Sequence, residues 1–230
     1  PDAPRLQLAF LRHSARPGNK NMYFIRNSVA FLCVQSYIKR KYCAYAKTVF
    51  LFAEDAEPLR NMYFSLIIST LGRTSEVERL LASLTAQTFR DFEVLIVDQN
   101  DDDRLHLVLE SFKNRLPLTV WRQGRQGLSA GRNVGIRNAG GEFWPFQDDD
   151  CTCPPDLLAR VHARISAGRF DGLALRVTDE HGKDSIGGEM AEKSMLLTKE
   201  NLWECVITPG LFLNRRALLE VLSLIHISEP

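Results

Sequence analysis

The stretch Phe143-Trp144-Pro145-Phe146-Gln147-Asp148-Asp149-Asp150-Cys151 constrains this chain more than any other. A short apolar run ends abruptly in three carboxylates. The run predicts a buried strand, and the carboxylates fall where it leaves the sheet. In open α/β sheets, ligands bind beyond the carboxyl ends of the strands. Adjacent carboxylates repel one another, so a cation must offset them or water must solvate them. Strand alternation puts Asp148 and Asp150 on one side and Asp149 on the other. Two same-side oxygen ligands suit a hard divalent cation, Mg2+ or Mn2+, which can in turn hold a diphosphate. The same residues also fit a solvated acidic loop that caps the helix after it.

The preceding sequence supplies the rest of such a sheet. Tyr63 to Thr70 is a continuous apolar run that predicts a buried strand. A turn over Leu71-Gly72-Arg73-Thr74 follows, and Ser75 and Glu78 have the spacing of a capping box. Val77, Leu80, Leu81 and Leu84 then give one apolar helical face. Phe92 to Asp98 predicts a second strand that also ends in a carboxylate. Strand, helix, strand at this spacing is a right-handed βαβ unit with parallel strands, so Asp98 falls on the same sheet edge as Thr70. There it can accept hydrogen bonds from a base or ribose, or cap the helix near Asp103. A helix over Arg104–Phe112 and a short strand over Leu118–Trp121 come next. Gln126-Gly-Leu-Ser-Ala-Gly-Arg132-Asn133 is a Gly-rich entry to a helix, with Ser129 as the expected N-cap. It matches neither a P-loop nor a dinucleotide fingerprint. Pro145 cannot donate to a ladder, so a bulge or local distortion is expected in its strand.

Two features bound the whole. The net charge of +1 gives no reason to propose nucleic acid as a partner. The charge is unevenly spread: residues 1–61 hold ten Lys or Arg against four Asp or Glu, and the remainder holds 19 against 24. Ser28 to Ile38 is apolar but too short for a transmembrane helix. A basic, aromatic-rich segment of this kind can make peripheral contact with anionic lipid. Periodicity becomes clear only at Met62, so residues 62–222 are expected to be the domain. Residues 1–61 are expected to stand outside it, with Met62 as the natural start. The five cysteines lack paired spacing, which argues against a disulfide framework and for a reducing compartment. Cys151-x-Cys153 lacks a second pair to complete a zinc site.

The order Ser-Leu-Ile-Ile-Ser-Thr70, Val-Asp98-Gln-Asn, Gly-Leu-Ser-Ala-Gly-Arg132-Asn133 and Asp-Asp-Asp-Cys resembles the nucleotide-binding half of a family-two, inverting glycosyltransferase with the GT-A fold. The resemblance covers roughly residues 62–222. It implies an α/β, Rossmann-like domain with a mostly parallel central sheet flanked by helices. It implies transfer of a sugar from a nucleoside-diphosphate-sugar to a hydroxyl of a sugar or lipid-linked glycan, in cell-surface polysaccharide synthesis. The expected location is cytoplasmic, at the inner face of the plasma membrane. Thr70, Arg73 and Asp98 would border the nucleoside. Arg132 and Asn133 would lie near the sugar-diphosphate, and Asp148 or Asp149 near the ribose. Asp150 would hold the divalent cation. Pro145 departs from the family, which usually has a small or β-branched residue there.

Downstream, Pro154-Pro155-Asp156 opens a helix with Leu157, Leu158, Val161 and Ile165 inward. Asp171–Thr178 and Cys205–Asn214 read as strands, residues 179–195 as a mobile loop, and Arg215 as the start of a helix. The family places an acidic catalytic base beyond this point. Here Ser223 to Pro230 resembles translated sequencing-adapter sequence, so residues 223–230 are expected to be an artefactual tail on an incomplete domain. Glu180, Glu189 and Glu204 are acidic residues with no motif behind them, and no base is assigned. His162, His181 and His226 are expected at the surface. Two alternatives stand beside the glycosyltransferase. Asp148-x-Asp150-x-Thr152 fits the nucleophile loop of haloacid-dehalogenase-like phosphatases, although that loop normally follows the first strand. The chain also fits a non-catalytic fragment that binds nucleotide-sugar and transfers nothing.

Overall fold

The structure, a computed structural model, describes residues 8–11, 62–124, 127–168, 170–179, 181, 184, 194–197 and 208–221. In chain order these hold β1 (Leu8–Leu11), β2 (Phe64–Thr70), α1 (Ser75–Thr85), β3 (Phe92–Asp98), α2 (His106–Phe112) and β4 (Leu118–Arg122). There follow α3 (Leu128–Asn138), β5 (Phe143–Asp148), α4 (Leu157–Ser166), β6 (Gly172–Leu175) and β7 (Met195–Leu196). A 3-10 turn (Thr208–Gly210), β8 (Leu211–Asn214) and α5 (Arg215–Val221) complete them.

The strands form one sheet in the order β4-β3-β2-β5-β8-β6-β1-β7. β4, β3, β2 and β5 are parallel, while β8 is antiparallel to both β5 and β6. The chain runs outward from β2 through β3 to β4 and then returns to the other side of β2 as β5. Strand order therefore reverses between β2 and β5, where a doubly wound sheet opens its ligand crevice.

Period-two alternation explains the layers. Phe64, Leu66 and Ile68 of β2 and Val94 and Ile96 of β3 face one side, against Val77, Leu80, Leu81 and Leu84 of α1 and Leu158, Val161 and Ile165 of α4. Ile67, Leu95, Trp144, Phe146 and Leu213 face the other side, against Ala139 after α3 and Leu218 of α5. The expected inward face of α4 is found residue for residue. Burying one such side chain contributes roughly 1.5–3 kcal/mol, so these two layers hold the strand ends level.

Several local expectations are corrected. Ser75 and Glu78 form no capping box: Thr74 is the N-cap residue without a side-chain cap, and Ser75 Oγ donates to Glu76 Oε2 at 3.1 Å. Gly127, at φ 129°, precedes α3 in place of Ser129. Pro145 makes no bulge. Phe143 pairs with Phe64 and Phe146 with Ile67 in unbroken register, and the ladder simply skips Trp144 and Pro145. The missing N–H removes a rung without adding a residue. His162 is half-buried rather than at the surface, 4.5 Å from the Tyr63 ring and 4.7 Å from the Phe89 ring between centroids.

Leu8–Leu11 lie within the stretch expected to stand outside the domain, yet pair antiparallel with Gly172–Leu175. Without them β6 would present unpaired backbone groups along that edge. The remainder of residues 1–61, most of residues 179–195, Glu180, Glu189, Glu204, His226 and residues 223–230 lie outside the described residues. Among the described residues, no helix is long and apolar enough to cross a membrane.

Candidate functional site

The register sets the site. Thr70 pairs with Asp98 across β2 and β3, and Ser69 pairs with Asp148 across β2 and β5. Three parallel strands thus deliver Thr70, Asp98 and Asp148 to one level at the switch point. The loop after β2 adds Arg73, and the first turns of α3 add Arg132 and Asn133.

Asp148 to Asp150 do not split as alternation predicts. Asp148 is the last strand residue, and a turn closes behind it, with Cys151 N donating to Asp148 O at 3.3 Å. Alternation ends with the strand, so Asp149 and Asp150 come together. Arg73 Nη1 lies 2.6 Å from Asp149 Oδ1 and 2.5 Å from Asp150 Oδ2. Burial alone would lower the Arg73 guanidinium, but the two carboxylates outweigh it and hold it above the ordinary arginine value. Asp148 turns instead to Arg132, whose Nη2 donates to Asp148 Oδ1 at 2.7 Å. The Arg132 side chain is only 8% exposed and that of Asp148 is 33% exposed. Burial lowers the Arg132 guanidinium in spite of Asp148. Burial likewise raises the Asp148 carboxyl in spite of Arg132, with Asp150 and Asp149 pushing the same way.

Asp98 is buried and holds the turn after β3. Its Oδ1 accepts from Asn100 N at 2.9 Å and from Asn100 Nδ2 at 2.7 Å. Asn100 Oδ1 in turn accepts from Gly72 N at 2.6 Å, which ties the β3 turn to the Arg73 loop. Arg122 Nε at the end of β4 stands 3.7 Å from Asp98 Oδ2. Thr70 is buried at the strand end, and its Oγ1 has no hydrogen-bond partner among the described residues. Burial first, then the neighbouring carboxylates, push the Cys151 thiol up to about 12, so it stands as a neutral thiol beside the cluster.

The structure thus brings Arg73, Asp149 and Asp150 together, and Arg132 with Asp148. Asn133 follows Arg132 in α3 and is buried, while Asp98 and Thr70 line the neighbouring strand ends. Sequence reasoning passed over Gln99, Asn100 and Arg122. The available signal was position: polar side chains directly after a buried strand carboxylate must find partners within the turn. A cavity of about 1100 Å³ lies at the other end of the sheet, lined by Tyr63, Glu142, Phe143, Asp171 and Arg215 among others. It shares no residue with the carboxylate cluster, so volume alone does not mark the site.

A divalent cation fits the donor set in one way. Among the described residues, no three His, Cys, Asp or Glu are grouped to hold a metal ion. A full protein cage is therefore not what these residues offer. Mg2+ and Mn2+ are commonly held by one or two carboxylates with substrate phosphates and water completing the shell. Asp149 and Asp150 already converge on one positive group, the Arg73 guanidinium, so their oxygens can share a cation.

The fold is a doubly wound α/β sheet whose switch point gathers carboxylates around two arginines. Residues 65–222 match Glycosyl transferase family 2, and the chain belongs to that family. It is 42% identical to an uncharacterized glycosyltransferase of Haemophilus influenzae over 42% of this chain and 32% of that protein. It is 31% identical to the poly(ribitol-phosphate) beta-N-acetylglucosaminyltransferase TarS of Staphylococcus aureus, over 62% of this chain and 26% of TarS. A Campylobacter jejuni GalNAc(5)-diNAcBac-PP-undecaprenol beta-1,3-glucosyltransferase is 30% identical over 60% of this chain and 46% of that enzyme. The structure of S. aureus TarS 1-349 in complex with UDP-GlcNAc superposes with a TM-score of 0.57 at 28% identity, over 67% of this chain and 46% of that one. The fold is accordingly the expected GT-A arrangement. The chain spans less than half the length of each of these relatives. With the family shown, the phosphatase reading of Asp148 and Asp150 falls.

Proposed function

We propose that the chain binds a nucleoside-diphosphate-sugar at the β2/β5 switch point and serves the transfer of its sugar, with inversion, to an acceptor hydroxyl. The observation that carries this reading is the convergence of Asp98, Arg132, Asp148, Asp149 and Asp150 at level strand ends, with two arginines set among four carboxylates. Such a site can bind a ligand carrying a neutral, hydrogen-bonding end and a doubly charged end.

Asp98 accepts from the nucleoside, and its rigid tie to Asn100 fixes the direction of that contact. Thr70 and Arg73 border the nucleoside beside it. Asp148, on the side away from the Asp149–Asp150 pair, lies toward the ribose. Arg132, with Asn133 behind it, meets the diphosphate and stabilises the charge that develops on it as the sugar departs. A divalent cation, Mg2+ or Mn2+, would be held by Asp150 and would supply Lewis-acid charge to the phosphates when bound. Residues 62–222 form the donor-binding domain. The TarS complex with UDP-GlcNAc supports a uridine-diphosphate sugar as donor, and the named Campylobacter relative supports a lipid-linked acceptor. The reading extends to synthesis of cell-surface polysaccharide at the inner face of the plasma membrane, and the undecaprenol-linked acceptor named for the Campylobacter relative supports it.

The test is competition of a fluorescent uridine-diphosphate probe by unlabelled UDP-sugars, followed by transfer to a panel of sugar and undecaprenyl-linked acceptors. Displacement at micromolar concentration and a product anomer opposite to that of the donor are expected. A product that keeps the donor's anomeric configuration would contradict inversion. Absence of displacement would overturn the donor reading itself.

A further inference from the structure

We propose that Gln99 is a positioning residue that sets the place of Arg132 against the donor's diphosphate, an inference that rests on the donor reading above. Gln99 directly follows β3 and is 2% exposed. Its backbone N donates to Thr70 O at 3.0 Å, which continues the β2–β3 ladder one residue past the strand and fixes the backbone of Gln99. Its side chain then crosses to the entry of α3. Nε2 donates to Gly127 O at 3.0 Å, and Oε1 accepts from Gly127 N at 3.3 Å. A carboxamide both donates and accepts in a single plane, so it reads a backbone N–H and C=O together. Glu offers no donor when ionised, and Met offers neither function.

The consequence reaches Arg132 through the helix. Gly131 N donates to Gly127 O at 3.0 Å, so the residue clamped by Gln99 also begins the hydrogen-bonding of α3. Arg132 is the next residue. The helix lies so close to β2 that a Cβ on Gly131 would stand 2.0 Å from Ser69 Oγ and 3.1 Å from Gln99 Nε2. Gln99 and Ser69 thus meet the same turn of the helix. Asp98 and Gln99 are consecutive, so one rigid strand end governs both ends of the donor: Asp98 the nucleoside, Gln99 the helix that carries Arg132. Preorganised contacts of this kind strengthen charge-assisted binding because no side chain has to be moved into place on binding.

The decisive comparison is uridine against UDP on the parent chain, Gln99→Met and Gln99→Glu, with binding followed by NMR titration and melting temperature measured alongside. Removing the clamp leaves the Asp98 end of the site in place and loosens the Arg132 end. Uridine affinity should stay within about twofold of the parent, while UDP affinity should fall by about tenfold or more in both variants, the range expected when a buried hydrogen bond is removed. A purely structural role would weaken uridine and UDP in equal proportion. That outcome, or UDP affinity unchanged in Gln99→Met, would overturn the proposal. Should a variant fail to fold, Gln99→Leu, which removes both the donor and the acceptor, supplies the same comparison. A parent chain that binds neither ligand would defeat the donor reading and this proposal with it. A parent that binds UDP beside a Gln99→Met that binds it equally defeats this proposal alone.

Discussion

Arg132 and Asp148 form an ion pair at 2.7 Å in which each group titrates in the direction that burial dictates, against the direction that pairing would give. The two charges are held together where water would otherwise solvate them, and the attraction between them does not fully compensate. Sites built to receive a charged ligand have this character, because the ligand completes the electrostatics.

A first prediction concerns stability against binding. Replacing a buried ion pair with neutral groups is often neutral or stabilising by about 1–4 kcal/mol. The double variant Arg132→Met/Asp148→Asn should therefore be no less stable than the parent in urea unfolding, and its UDP-sugar binding should be lost. A double variant destabilised by about 3 kcal/mol or more, the cost typical of breaking a needed buried pair, would show that the pair is structural.

The Asp148 carboxyl gives a pH signature with a definite sign. Its folded value is raised, by burial first. The stability it contributes is therefore fully present below the unfolded value, about 3.9, and is lost as pH rises through the folded value. Asparagine at this position does not titrate. Asp148→Asn should gain stability relative to the parent as pH rises from about 4, and the gain should level off above the folded value. Unfolding free energies of the two proteins at stepped pH measure the gap. A gap that runs the other way would mean that Arg132, rather than burial, governs this group.

Gly131 tests the close approach of α3 to β2. A Cβ there meets Ser69 Oγ at 2.0 Å and Ser69 Cβ at 2.8 Å. Overpacking of this kind typically costs about 1–3 kcal/mol, and Gly131→Ala should lose that much despite its better helix propensity. Adding Ser69→Ala should recover part of the loss and no more, since the clash with Cβ remains. Thermal unfolding of the three variants decides it, and a stabilised Gly131→Ala would contradict the observed packing.

The layers of this fold were legible because burial writes a period into the sequence. Val77, Leu80, Leu81 and Leu84 declare a helix face, and Phe92 to Val97 declare a strand with no solvent side. The level strand ends, and hence the neighbourhood of Asp98 and Asp148, follow from the βαβ rule. What was not legible depends on how separate loops meet. Whether Asp149 sides with Asp148 or with Asp150 is set by the turn at Cys151 and by Arg73, which lies 76 residues earlier in sequence. Periodicity stops at the strand's end and carries no information about that choice. The amides of Gln99 and Asn100 were marked by position alone, since their contacts with Gly127 and Gly72 are to backbone groups with no residue-specific signal. Leu8–Leu11 were missed because four residues at a sheet edge show too short a pattern to separate from their surroundings.

The central claim is that this strand-end cluster holds a nucleoside-diphosphate-sugar through Asp98 and Arg132, with a divalent cation at Asp150. Calorimetric titration of a UDP-sugar into the parent chain, Asp150→Ala and Asp98→Ala, each in Mn2+ and in chelator, tests it most directly. The account predicts binding by the parent in Mn2+ and none in chelator, loss of that difference in Asp150→Ala, and weaker binding by Asp98→Ala under either condition. Equal affinity of the parent in Mn2+ and in chelator would contradict it.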